Sequence, residues 1–320
     1  MDTLRRVWKV PAAKGSIIIL VAMAILVVAG GWLSPHDPLA QQPANMLQGP
    51  SGSHLLGTDY LGRDVLSRLM SGTRISVAGA LEAVGVAMLI GILPGLASAW
   101  FGPRFEWVAL RLTDTLMVVP FTVFAIAVVG TLGNGLHQSM IAIGILMSPL
   151  YFRITRAVTL GLRQQQYVEA AELMGASQWW ILRKHIWAKV LPTIAVTTAQ
   201  AVGVALLVMA SLTFLGLGVT PPAPTWGGML ASDLAYLGQQ PWAPVYPAIM
   251  IMLTVGSLNL LADIIREATP DAVRRTWRRN LAAASTGLVG GTAAVGRPSV
   301  ADESAPAELK EDEDARVPAA

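Results

Sequence analysis

Few side chains in this sequence have the types and spacing that catalysis, metal binding or phosphate binding requires. The chain contains no cysteine, which excludes disulfides, thiolate metal sites and thiol catalysis. Its four histidines, His36, His54, His137 and His185, are scattered and show no metal-ligand spacing. No G-x-x-x-x-G-K-[ST] loop occurs, and no nucleophile stands beside a base and an orienting group. The sequence therefore predicts no catalytic residue, no metal site and no cofactor bound by this chain.

The polar residues of most interest are ionisable groups inside apolar stretches. A charge at the centre of a membrane costs about 2.5–3.5 kcal/mol on insertion scales, so each needs a partner or a watery cavity. Glu82 is the deepest, and it either faces such a cavity or bonds to a neighbouring helix near the outer interface. Asp114 lies one turn from Arg111, and Asn259 shares a helical face with Asp263. Interface anchoring and solute contact both remain open for these residues.

The elements that position these groups are membrane spans. Hydrophobic residues make up 53% of the 320 positions and charged residues only 13%, a balance that is unusual for a soluble domain. A bilayer core needs about 20 apolar residues per helix, and about six such stretches occur. They run approximately over residues 17–33, 77–101, 113–132, 138–152, 191–217 and 245–265. The fourth contains Pro149 and is expected to continue as a helix toward Leu162.

The distribution of lysine and arginine predicts the orientation. With the N-terminus inside, seventeen basic residues up to Arg279 fall on inner segments and three, Arg63, Arg68 and Arg74, fall outside. Both termini are therefore predicted to be cytoplasmic. A cleaved signal peptide is the alternative reading of the basic start, but residues 30–35 show no persuasive cleavage site.

Three parts of the chain differ in composition. Residues 1–76 hold a cytoplasmic N-terminus, the first span and an extracytoplasmic loop from Ser34 to Ser76, which is expected to be ordered. Residues 77–279 hold five further spans. Residues 280–320 turn small and then acidic, which predicts a disordered cytoplasmic tail that serves either for docking or for solubility.

A long inner loop, residues 161–190, carries the pattern of a helix, a turn and a second helix. Residues 165–174 are good helix formers, Gly175 fits the left-handed position that ends a helix, and Ser177 can cap the next one. The small side chains of Ala170 and Ala171 would let the groove of a partner come close, while Glu169 offers it a carboxylate. An ordinary amphipathic interface helix is the alternative.

The spacing of Glu169-Ala170-Ala171, Gly175, Ile186 and Leu191-Pro192 resembles the EAA loop of ABC importer permeases. Three further segments resemble the dipeptide and oligopeptide permeases of the C-subunit type. They read HLLGTDYLGRDVLSRLMSGTRIS from His54, ASLTFLGLGVTPPAPTWGGML from Ala210 and NLLAD from Asn259. The resemblance covers about residues 5–275, and it departs from the family at Pro120 to Phe124.

This resemblance implies an all-α membrane protein of about six transmembrane helices with the type I ABC importer permease fold, in the bacterial inner membrane. It implies a non-catalytic subunit that pairs with a homologous permease, two ATP-binding subunits that hold ATP and Mg²⁺, and an extracytoplasmic solute-binding protein. No nucleic-acid partner is expected, and membrane lipid surrounds the spans. Dipeptides or oligopeptides are the implied substrates, with nickel or another small solute as the alternative. An ion-coupled carrier or channel is the reading from another class.

The resemblance also assigns roles to residues. The loop over 165–191 would couple to the ATPase, through Glu169, Ala170, Ala171, Leu173, Met174 and Gly175. Glu82 and Asn259 are the candidates for the translocation path. Asp59, Arg63 and Trp226 are the candidates for contact with the binding protein; outer charges such as Asp59 and Arg63 could equally pair internally, and Trp226 could belong to a rigid cap.

Overall fold

The computed structural model describes residues 11–268, and these form helices joined by loops. In chain order the helices are α1 (Pro11–Leu33), α2 (Val65–Ala97), α3 (Gly102–Val118), α4 (Phe121–Leu132), α5 (Leu136–Arg163), α6 (Gln166–Leu173), α7 (Gln178–Phe214), α8 (Trp226–Leu234) and α9 (Val245–Ala268). Within that part of the chain, five helices are long and apolar enough to cross a bilayer, and the bent pair α3–α4 raises the number to six. The predicted all-α membrane fold of about six spans is confirmed.

Helices α2 and α5 run side by side in the same direction and form the centre of the fold. Small residues make this close approach possible: a Cβ on Gly95 would lie 2.9 Å from the carbonyl oxygen of Phe152, and one on Gly144 would lie 2.5 Å from Cβ of Val86. Glycines spaced by four, such as Gly91 and Gly95, are a common way for membrane helices to pack backbone against backbone. The starts of α2 and α5 therefore lie at one end of the protein and their ends at the other.

The third predicted span is broken. The stretch predicted at 113–132 consists of the end of α3 and all of α4, whose axes differ by 96°. Val119 is extended, with a ψ of 123°, because proline disfavours the helical conformation in the residue before it. The apolar stretch predicted at 113–132 therefore forms two helices with a sharp bend between them.

The second span begins earlier than predicted. Val65 opens α2 well inside the segment from Ser34 to Ser76 that the composition predicts to be a loop. Asp64 is the N-cap, and its Oδ2 accepts the backbone N–H of Ser67 at 2.8 Å. The extended fourth span, in contrast, is confirmed, since α5 runs through Pro149 to Arg163.

Many large apolar side chains on these helices are exposed, as a bilayer-facing surface requires. Val28 is 74% exposed, Leu89 70% and Leu93 65%. The predicted acidic tail over 280–320, the core boundary at 279 and the first ten residues lie outside the described residues.

Candidate functional sites

Residues Gln165–Trp180, called the coupling segment after their predicted role, contain the short helix α6 and the tight turn that ends it. Gly175 has a φ of +81°, and its N–H donates to the carbonyl of Glu172 while the N–H of Ala176 donates to Ala171. This pair of bonds is the Schellman arrangement, in which a left-handed residue satisfies the last carbonyls of a helix. The predicted helix end at Gly175 is confirmed.

A second cap starts the next helix immediately. The hydroxyl oxygen of Ser177 accepts the N–H of Trp180 at 3.3 Å, as the sequence predicts. Helix α7 then runs from Gln178 through a π-type turn at Leu182–Ile186 and past Pro192 into the membrane. The coupling segment is therefore continuous with a helix that is long and apolar enough to cross a membrane.

One face of the segment is packed into the protein. Val168 and Ala171 of the segment are 0% and 3% exposed, and Ile181 and Ile186 near the start of α7 are 1% and 0% exposed. Lys189 on α7 adds a cation–π contact, with its Nζ 3.8 Å from the ring centroid of Tyr167. These contacts fix the orientation of α6 relative to α7.

The opposite face presents large apolar side chains. Leu173 is 84% exposed, Met174 81% and Trp179 70%, and Glu169 and Ala170 are exposed beside them. Ala171 corrects the prediction: its side chain packs inside this protein, so it does not offer a surface to a partner. A Cβ on Gly175 would meet nothing within 4 Å, which leaves the turn open to approach.

At the other end of α2, Asp59 and Arg63 of the outer loop (Ser34–Asp64) form a buried network with Arg68 of α2. Oδ2 of Asp59 lies 2.7 Å from Nε of Arg63 and 3.4 Å from Nε of Arg68. Oδ1 of Asp59 accepts the N–H groups of Leu61 and Arg63. The side chains of Asp59 and Arg63 are 5% and 3% exposed, so the network is internal.

Asp233 on α8 joins this network. It is 5% exposed, and its Oδ2 has no hydrogen-bond partner among the described residues. Burial, together with the negative charge of Asp59, raises the pKa of Asp233 to about 7, and Arg68 and Arg63 oppose that rise. The carboxyl group is therefore poised to change its charge near neutral pH.

The three residues predicted to contact a binding protein are all interior. Trp226 is 0% exposed, its Nε1 donates to the carbonyl of Leu69 at 3.3 Å, and its backbone N–H donates to Ser76. With Asp59 and Arg63 buried as well, the expected direct contact through these side chains is corrected: they join the outer loop and α8 to helix α2. Any partner on this side would meet the surface that they support.

The candidates for the translocation path remain predictions. Glu82 is 31% exposed and its carboxylate oxygens lie 2.8 and 2.9 Å from Nδ1 of His137 on α5. Asn259 is half-buried between α9 and α7, where a Cβ on Gly203 would lie 3.6 Å from its amide nitrogen.

Two other polar groups of the spans are partnered. Asp114 pairs with Arg153 on α5 at 2.6 Å, and Asp263 accepts from Gln200 at 3.5 Å. Helix-to-helix anchoring explains both.

Sequence spacing missed one group. His36 and His54, eighteen positions apart, meet at Asp64 in the outer loop. No local pattern could reveal this cluster, because the path of the loop between the two histidines brings them together.

Comparison with known proteins gives matches along most of the chain. The family model described as "Binding-protein-dependent transport system inner membrane component" matches residues 67–275. A second model, the N-terminal TM domain of oligopeptide transport permease C, matches residues 1–50.

Several curated relatives span most of both chains. The probable D,D-dipeptide transport system permease protein of Escherichia coli K12 is 36% identical over 257 residues, 80% of this chain and 86% of the relative. The glutathione transport system permease protein of Pectobacterium atrosepticum is 37% identical over 258 residues, 80% of this chain and 85% of the relative. The nickel transport system permease protein of E. coli K12 is 32% identical over 260 residues, 81% of this chain and 93% of the relative.

Among solved structures, an inward-facing form of the MetNI methionine ABC transporter resembles this chain. The TM-score is 0.54 at 16% identity, and the match covers 63% of this chain and 97% of the other. At that identity the likeness concerns the fold.

Proposed function

Because the chain belongs to the family of binding-protein-dependent transport system inner membrane components, we propose that it imports dipeptides or oligopeptides and takes its driving force from a separate ATPase. The chain is a multi-pass permease subunit of the inner membrane with the type I ABC importer permease fold. Its relatives are named as transport permease proteins, so the hydrolysis of ATP is assigned to a partner subunit.

The observation that carries the proposed coupling is the division of the coupling segment into two faces. A buried face fixes α6 to α7, while Leu173 and Met174 project outward at 84% and 81% exposure. A group of exposed apolar side chains is typical of a surface that contacts another protein or a membrane. We assign this surface, with Glu169, Ala170 and Gly175, to a groove on an ATP-binding subunit.

Rigidity is what coupling needs. A partner that moves the segment displaces α7 as a body, because the helix continues from Gln178 to Phe214 without a loop. Movements of this kind, in which a packed element shifts between two positions, underlie alternating access. The proposed assembly contains this chain, a homologous permease, two ATP-binding subunits with ATP and Mg²⁺, and an extracytoplasmic solute-binding protein.

Peptides are the proposed substrate class because two of the relatives are named for D,D-dipeptides and glutathione. The relative named for nickel makes that ion the second candidate. Glu82 and Asn259 stay the proposed path residues, and Glu82 would balance the amino terminus of a peptide.

The test is ATP-dependent uptake by the reconstituted complex of labelled dipeptide, labelled tripeptide and radioactive Ni²⁺ in parallel vesicles. Vesicles whose ATPase subunits cannot hydrolyse ATP are the control. We expect peptide uptake that needs ATP and the binding protein. Uptake of Ni²⁺ without uptake of peptide would contradict the peptide proposal and favour nickel as the substrate. Uptake of any of the solutes without ATP would contradict the ABC mechanism.

A further inference from the structure

Three side chains with metal-ligand chemistry meet between the end of α1 and the start of α2. His36 follows α1, His54 lies in the outer loop, and Asp64 caps α2. Nδ1 of His54 is 3.0 Å from Oδ1 of Asp64, and Nδ1 of His36 is 3.8 Å from Oδ2. The two imidazole rings are 4.8 Å apart at their centroids. One ligand atom from each residue can be chosen so that all three lie within 4.8 Å of one another.

These spacings suit a small cation. Zinc bonds to nitrogen and carboxylate oxygen are about 2.0–2.2 Å long, which places tetrahedral ligand atoms about 3.3–3.6 Å apart. The observed 3.0 and 3.8 Å lie on either side of that range. The two distances run to different oxygens of Asp64, and His36 lies on a loop beyond the end of α1, where its side chain is not part of a helix.

Hydrogen bonding within the protein accounts for two of the three residues and leaves the third unexplained. His54 and Asp64, at 6% and 3% side-chain exposure, satisfy each other. Nδ1 of His36 is buried and has no hydrogen-bond partner among the described residues, although its side chain as a whole is 38% exposed. A buried imidazole nitrogen that lies near a carboxylate and another imidazole is in a position to act as a metal ligand.

A supporting shell holds the cluster in place. Oδ2 of Asp64 accepts the N–H and the hydroxyl of Ser67 at 2.8 and 2.7 Å, and the hydroxyl oxygen of Ser67 accepts the backbone N–H of His36 at 3.0 Å. Asp64 is an acidic residue, and its Oδ1 lies 3.0 Å from Nδ1 of His54, so both carboxylate oxygens are oriented by neighbouring groups. Its negative charge also offsets the positive end of the α2 dipole, which would otherwise repel a cation. Such outer contacts orient metal ligands in known sites.

We propose that His36, His54 and Asp64 bind one divalent transition-metal ion of the zinc type, with water at the remaining position. Two imidazoles and a carboxylate suit Zn²⁺ and its first-row neighbours, whereas Ca²⁺ and Mg²⁺ prefer oxygen ligands. The bound ion would join the end of α1 to the start of α2. The first span would thereby be pinned to the core of the permease on its outer-loop side.

The proposal is tested by metal binding to the purified chain, and the composition of the chain keeps background binding low. There is no cysteine, and the four histidines are the only imidazoles, so a purified full-length chain with a tag free of histidine has little background binding. Co²⁺ serves as the probe, because a tetrahedral nitrogen–oxygen site gives it a strong visible absorption. His36→Ala is the main variant, since its partly exposed side chain makes it the replacement least harmful to folding.

His137→Ala is the matched control, because that histidine also pairs with a carboxylate, Glu82, but at 76% exposure and without a second imidazole. We expect one Co²⁺ per chain in the wild type and in His137→Ala. His36→Ala should bind at least about tenfold more weakly, since losing even an outer contact of a metal site costs 10- to 100-fold. Zn²⁺ should raise the melting temperatures of the wild type and of His137→Ala, and it should leave that of His36→Ala unchanged.

Absence of saturable absorption in the wild type would overturn the proposal, as would equal Co²⁺ affinity in His36→Ala. Neither readout involves the partner subunits, so this result is independent of the proposed transport function.

Discussion

The regions at the two ends of helix α2 differ in which side chains they bury and which they expose. At its start, the outer loop buries charges: Asp59 and Arg63 are 5% and 3% exposed and bonded to each other. Beyond its far end, the coupling segment exposes apolar groups: Leu173 and Met174 are 84% and 81% exposed. Each arrangement costs free energy unless something compensates it. The outer loop supplies its compensation internally, whereas Leu173 and Met174 stay exposed in this chain and would be covered by the proposed ATP-binding subunit.

The exposure of a side chain in the folded chain distinguishes residues that hold the fold together from candidates for contact with a partner better than the residue type does. The charged residues Asp59 and Arg63 could pair internally or contact a partner, and in the structure they help to hold the loop and α8 on helix α2. Leu173 and Met174 face outward, which is compatible with the predicted contact with an ATPase. Exposure in the folded chain is what distinguishes the two roles.

The largest effect should come from breaking the outer network. Arg63→Ala leaves Asp59 buried with one cation fewer, and removing one member of a buried ion pair costs about 3–5 kcal/mol. We expect a large fall in the melting temperature of the purified chain and in its yield. The control is Arg74→Ala, which removes an exposed arginine on the first half of α2. It should change the free energy of unfolding by less than about 1 kcal/mol. Equal melting temperatures for the two variants would show that the network is not a stabilising unit.

A smaller effect should follow from the titration of Asp233. Its pKa, raised to about 7, lies above the value of the unfolded chain, so the folded state holds a proton that the unfolded state releases. This stabilisation is complete at low pH and is lost as the pH rises through the range from about 4 to about 7, with a slope of at most about 1.4 kcal/mol per pH unit. Melting temperatures measured across that range should fall less steeply in Asp233→Asn. A variant with the slope of the wild type would rule out Asp233 as the responsible group.

Local features of the structure could be predicted from the sequence, and features set by distant contacts could not. Gly175 and Ser177 sit where the chain must turn and restart, so residue type alone identified the helix ends. The break at Pro120 has a local cause, but the size of the bend depends on how α4 packs. The inner face of α6 is similar, because Ala170 and Ala171 look alike in sequence and only packing decides that Ala171 is buried.

The outer loop was the hardest part to predict. Its charges can pair with each other or with a partner, and the sequence alone supports both readings. Its two histidines lie far apart in the chain and converge only when the loop folds back on the start of α2. The membrane spans were easier, because the thickness of the bilayer fixes their length and composition.

The most direct test of the proposed coupling is the variant Leu173→Ser with Met174→Ser, which removes the exposed apolar pair and leaves the buried face of α6 intact. The matched control is Leu55→Ser, which removes a side chain that is 61% exposed on the outer loop. Both should fold as stably as the wild type, because surface changes usually stay within about 0.5 kcal/mol.

The measurement is ATP hydrolysis by the reconstituted complex with substrate-loaded binding protein, together with the amount of ATPase subunit that copurifies. The substrate-loaded binding protein should stimulate ATP hydrolysis in the wild-type complex. We predict that this stimulation falls at least about tenfold in the double variant, as expected when interface residues are lost, and is unchanged in Leu55→Ser. Full stimulation in a double variant that assembles normally would contradict the assignment of this segment to ATPase coupling.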